Sequence, residues 1–208
     1  MNRYLFMSHL IPMLNKPGFL NSLVAVALRV LSAVVVLVSL ASIFTAGKVT
    51  FSLQAHSIMG GILFQIFYIV AIYSVVHAIL IRARDIEHLP TSEFMVLPMG
   101  SLLLKLIGEV YAFFVAMTAI GGGIFVWFTN QPVSAIMSPV PWFFPVPHSP
   151  NFTGGITIML GGTLLAAAVL IGFYMLSELF TALIRSQQRT ISAPPRQIAN
   201  YTKSRFGG

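Results

Sequence analysis

Residues Gly154 to Ile184 read GGITIMLGGTLLAAAVLIGFYMLSELFTALI. A helix rises ~1.5 Å per residue, so about 20 apolar residues cross the ~30 Å hydrocarbon core of a bilayer. This run is longer than that. It holds one charge, Glu178, and Arg185 follows it directly. A carboxylate inside a span is costly unless it is paired or hydrated. The run is therefore read as a transmembrane helix with one charge to account for.

The whole chain is consistent with that reading. It has 208 residues, 57% hydrophobic and only 8% charged, against ~25% charged in soluble domains. Three further apolar runs extend the pattern outward from 154–184. The spans are expected at about 19–46, 58–81, 101–128 and 154–184, within a transmembrane domain of residues 18–184. Residues 1–17 form an amphipathic lead, and Pro17 is a plausible helix start. Residues 185–208 form a basic tail. Charged residues between Arg82 and Gly100, interrupted by Pro90 and Pro98, suggest a short surface helix between two turns. The fold class is all-α: a four-helix transmembrane bundle in an integral membrane protein.

The net charge of +7 sits mainly at the ends of apolar runs. It is read as topology and lipid contact, with no nucleic acid implied. Arg3, Lys16, Arg82, Arg84, Arg185, Arg189, Arg196, Lys203 and Arg205 fall on one side of a four-span chain, and Lys48 on the other. The positive-inside rule then places both termini in the cytoplasm. The expected location is a bacterial cytoplasmic (inner) membrane. The N-terminal apolar run is too long for an ordinary cleaved signal, so it is read as retained.

Five ionisable residues lie within the spans: Arg29, His77, Lys105, Glu109 and Glu178. Each falls in the cytoplasmic half, and together they suggest an ionic layer. Arg29 and Lys105 would balance Glu109 and Glu178, leaving His77 to titrate. Tyr73 shares a face with His77 at i, i+4, as Tyr174 does with Glu178. Past this layer the spans offer no charge to carry an ion outward. Second and fourth spans also align at an offset of roughly 101 residues, pairing Gly60-Gly61 with Gly161-Gly162, as an internal repeat would.

Two features point to partners. Gly161, Gly162, Ala166 and Gly172 supply small side chains that let helix backbones approach closely. The loop 129–153 lacks Lys, Arg, Asp and Glu and is rich in proline. Its Trp142, Phe143 and Phe144 belong in the membrane interface or against a partner.

There is no cysteine. No phosphate-binding glycine loop, HExxH, GxSxG or metal-spaced cluster occurs. No catalytic, cofactor-binding or metal-binding residue is expected, and no cofactor. The sequence suggests a non-catalytic structural or accessory subunit of a larger membrane complex. Its partners would be the lipid bilayer and other membrane subunits, or further copies of itself. The alternative is a small oligomeric transporter or channel that uses the Glu/His layer.

Overall fold

The computed structural model describes residues 18–90, 96–137 and 150–191. Four long helices carry the fold: α1 (Phe19–Ser52), α2 (Ile58–Glu87), α3 (Val96–Thr129) and α4 (Phe152–Ile191). A 3-10 turn at Ala55–Ser57 joins α1 to α2. A one-turn helix at Ser134–Met137 follows α3. No strand occurs among the described residues. All four long helices are apolar enough to cross a membrane, and the protein is an all-α, multi-pass membrane bundle.

The helices outrun the apolar runs that suggested them. They span 34, 30, 34 and 40 residues. Helical hydrogen bonding does not stop where hydrophobicity does. Arg82-Ala83-Arg84-Asp85 continues α2, because no glycine or proline breaks it. The charged segment is thus largely α2 itself rather than a separate surface helix. Pro98 lies in the first turn of α3, where the missing N–H costs nothing. At the start of α1 the chain turns at Gly18, with φ 85°, a conformation that suits glycine. The helix begins after Gly18 rather than at Pro17.

Packing follows chain order. α1 packs on α2, α2 on α3, and α3 on α4. The one-turn helix and the residue before it place Ile136 and Val133 in the core. Its turn closes from the Pro132 and Val133 carbonyls to the amides of Ala135 and Ile136. The loop's prolines therefore still leave room for a helical turn. α3 is the best-buried helix, with half of its apolar window covered by the chain. The figures are 22% for α1 and 17% for α4. One apolar core, around Phe64, Val115 and Phe125, sits towards the end where α1 meets α2. A second, around Leu28, Ile79, Ile86 and Met99, sits towards the other end.

Glycine sets the closest approaches. Gly60 lies against Phe128 and Thr129 of α3, and Gly61 against Thr50 of α1. Gly108 meets Phe173, and Gly162 meets Ala119. Several hydroxyls within the spans return to their own helix: Ser39 donates to the Val35 carbonyl at 2.6 Å, Thr118 to Phe114 at 2.6 Å and Thr163 to Met159 at 2.7 Å. That satisfies polar groups where water is absent.

Candidate functional site

The charged residues concentrate at the end shared by the start of α1, the end of α2 and the start of α3. α2 brings Arg82, α3 brings Glu109, and α4 brings Tyr174. Arg82 donates from Nε to Glu109 Oε2 at 3.0 Å, and from Nη2 to Glu109 Oε1. Tyr174 donates its hydroxyl to Glu109 Oε1 at 2.5 Å. Arg82 Nη2 also lies 3.4 Å from the Tyr174 hydroxyl. On its own helix Arg82 pairs with Asp85 at 3.1 Å. The Lys105 ammonium sits 5.3 Å from the centroid of the Tyr174 ring. The Arg82 and Glu109 side chains are 17% and 13% exposed. Two opposite charges thus share one partly buried, hydrogen-bonded arrangement at a three-helix junction, which offsets the desolvation that either alone would suffer.

Depth follows from register. Thr50 lies against Gly61, so in the antiparallel pair Arg29 of α1 falls level with Arg82 of α2. Lys48 marks the other end of α1, its ammonium 4.8 Å from the Phe44 ring centroid. Trp127 marks the other end of α3. It stacks on Phe152 at 5.1 Å and donates Nε1–H to the Phe152 carbonyl at 2.9 Å. About 19 residues separate Arg29 from Lys48, and about 18 separate Glu109 from Trp127. Both intervals correspond to ~27–29 Å, one hydrocarbon thickness. The Arg82–Glu109–Tyr174 junction therefore belongs at a membrane boundary. Interfacial aromatics and Lys48 belong at the opposite one.

The five ionisable residues expected to form one layer divide differently. Glu109 pairs with Arg82, not with Arg29 or Lys105. Arg29 pairs instead with Glu87, at an exposed site. Lys105 has no carboxylate within ion-pair distance among the described residues. His77 faces outward and stacks on Tyr73, with centroids 5.8 Å apart. Glu178 is exposed, with no ion pair among the described residues. Arg82, Asp85, Glu87 and Tyr174 were absent from the expected layer. Arg82 ends an apolar run, so it reads as a boundary marker, and only the register of α2 on α3 reveals its partner. The signal in the sequence was depth: Arg29 and Glu109 each stand one bilayer thickness from an interfacial marker.

The small residues divide too. Gly162 and Ala166 are buried against α3. Gly161 and Gly172 are exposed, and a Cβ added at either would meet nothing within 4 Å. The glycines aligned as a repeat sit in unlike surroundings, since Gly60 packs on α3 and Gly161 on nothing. Trp142, Phe143 and Phe144 lie outside the described residues. Among the described residues no group of three or more His, Cys, Asp or Glu side chains is arranged to hold a metal ion.

No protein-family model, curated protein or solved structure matches the chain. Its function is therefore argued from the geometry.

Proposed function

We propose that this protein is a non-catalytic accessory subunit of a larger membrane complex. The observation that carries the reading is the outer face of α4. Glycine inside a helix is unfavourable by ~1 kcal/mol relative to alanine. Gly155 and Gly162 offset that by admitting Trp127 and Ala119. Gly161 and Gly172 have no such neighbour. They stand about three turns apart on the same face, with the exposed Ala168 between them. That face fits a helix from another subunit. The Pro-rich segment containing Trp142, Phe143 and Phe144 is a second proposed contact.

The transporter alternative draws less support. Glu109 is engaged by Arg82 and Tyr174. His77 and Glu178 lie on outer faces of different helices and line no common path with Glu109. The charge distribution supports cytoplasmic termini, and a bacterial inner membrane is the location proposed with them.

Native-detergent purification tests the proposal. The parent chain is expected to co-purify with larger membrane subunits. Gly161→Leu with Gly172→Leu is expected to keep membrane insertion and lose those subunits. A parent recovered only as a homo-oligomer would remove the accessory-subunit reading. Orientation is tested separately. With no native cysteine, Ser138→Cys and Ser192→Cys are expected to label from opposite sides of the membrane. Labelling from one side would contradict the four-span topology.

A further inference from the structure

The chain enters α1 through a reversing turn. In a type II turn proline suits the second position, and the third takes φ near ~80° and ψ near ~0°, which favours glycine. Gly18 has φ 85° and ψ −8°, and Pro17 stands directly before it. The proline ring holds its own φ at about −65°, the value that the second position needs. Gly18 therefore has the geometry, and Pro17-Gly18 the sequence, of a turn that sends the chain back on itself.

A chain that reverses there must run beside α1. The bundle side is taken: Asn21 is 2% exposed and donates to the Leu89 carbonyl at 3.1 Å, and Ala25 and Leu28 are buried. The outer side is bare. Leu23 and Val26 are each 52% exposed and share a face, three residues apart. They stand about 5–9 Å past Arg29, outside the hydrocarbon core. At the same depth α2 exposes Arg84, Asp85 and Glu87, as suits hydrated headgroups. Two large apolar side chains at that depth need a cover that the bilayer core does not supply.

Residues 1–16 lie outside the described residues, and their composition suits that task. Phe6, Leu10, Ile11, Met13 and Leu14 are apolar, Arg3, His9 and Lys16 are basic, and no residue among them is acidic. Val26 is about 12 Å along the axis from Gly18, a distance that sixteen residues span even as a helix. The Asn21–Leu89 bond sets the start of α1 beside the end of α2. The Asp85 and Glu87 side chains there are 42% and 39% exposed, and Glu93 follows shortly after. The segment thus complements its surroundings in charge as well as in hydrophobicity.

We propose that residues 1–16 fold back at Pro17-Gly18 and cover the outer face of α1 over Leu23 and Val26, with their basic charge beside the acidic end of α2. The lead is then a strap over the start of α1. The contact is made within one chain and stands independently of the accessory-subunit reading.

Disulfide formation in the full chain tests this, since the chain has no cysteine of its own. Leu10→Cys with Val26→Cys, oxidised in the membrane, is expected to close a disulfide within one chain, read by mass spectrometry after digestion. Leu10→Cys with Leu179→Cys aims the same segment at the exposed apolar face of α4. That pair is expected to close about tenfold more slowly, because a docked segment has a higher effective concentration than a merely tethered one. Gly18→Val opposes a positive φ and is expected to slow the first disulfide about tenfold. Gly18→Asn tolerates that φ and is expected to keep it. Circular dichroism establishes that each variant is folded. Equal rates for the two cysteine pairs would overturn the proposal. So would disulfides formed only between chains, which would mean a second copy covers the face. Absence of any disulfide would mean that the lead rests on lipid or on another subunit, and would overturn it too. A Gly18→Val rate equal to the parent's would overturn the turn-directed fold. If Gly18→Val does not fold, the comparison of the two cysteine pairs decides alone.

Discussion

Gly161 and Gly162 are neighbours on α4, in a run that is apolar on every side. One is exposed with nothing near it, and the other lies against Ala119. The same division runs the length of the helix. The face turned to α3 carries Gly162, Ala166, Tyr174 and Ser177, each buried or engaged. Ser177 and Ser101 are joined through their hydroxyls at 2.6 Å, and Ser177 also donates to the Ser101 carbonyl at 3.1 Å. The opposite face carries Gly161, Ala168 and Gly172, all exposed. In a soluble helix such a difference would be written as apolar against polar. In a membrane helix both faces are apolar, and the difference lies in what each side chain leaves room for.

Breaking the inner face at its polar end should have the largest effect. Glu109→Ala removes the acceptor of Arg82 and Tyr174 and leaves the guanidinium with Asp85 and the Tyr174 hydroxyl. Removing one partner of a fully buried pair typically costs ~3–5 kcal/mol, and this partly buried pair should fall below that range. Thermal unfolding in detergent should show this as a marked loss of stability. Glu109→Gln keeps an acceptor and should be milder. If Glu109→Ala unfolds like the parent, the junction is hydrated and the two faces of α4 do not differ in this way.

A smaller effect is expected where α4 meets α3 through glycine. The Cβ introduced by Gly162→Ala would fall on the Cβ of Ala119, an atom fixed to the backbone. No rotamer relieves that, so the helices must separate. Overpacking of this kind costs ~1–3 kcal/mol. The expected outcome is a lower unfolding temperature than the parent's, with helix content unchanged. An unaltered transition would place α4 farther from α3 than the structure does.

The four spans were legible because hydropathy is a local property: each run alone is long enough to cross a bilayer. Their ends were not. Nothing in an apolar run says that α2 continues as helix through Arg84 to Glu87. Pairing was legible in kind only. Glu109 within a span implied a basic partner, but choosing Arg82 over Arg29 or Lys105 requires the register of α2 on α3. That register is set by contacts such as Gly60 against Phe128, which are distant in sequence. The division between Gly161 and Gly162 was equally hidden, since a helix apolar all round has no hydrophobic stripe to fix its rotation.

The smallest effect on the chain itself, and the sharpest use of the contrast, comes from repeating that substitution one residue earlier. Gly161→Ala with Gly172→Ala places methyl groups where nothing lies within 4 Å. No neighbour must move. Alanine is also the better helix former, by ~1 kcal/mol per site in an exposed helix. The isolated chain should therefore unfold at the parent's temperature or slightly above it. Association should respond in the opposite direction. If another subunit packs on this face, the added methyls hold the backbones apart, and co-purification should fall although the chain is no less stable. A single substitution type, made at adjacent positions, thus separates two kinds of contact. Loss of stability without loss of partner belongs to Gly162→Ala, and loss of partner without loss of stability to Gly161→Ala with Gly172→Ala. Should the double variant retain every partner of the parent, the outer glycines face only lipid, and the accessory-subunit reading loses the contact that supports it best.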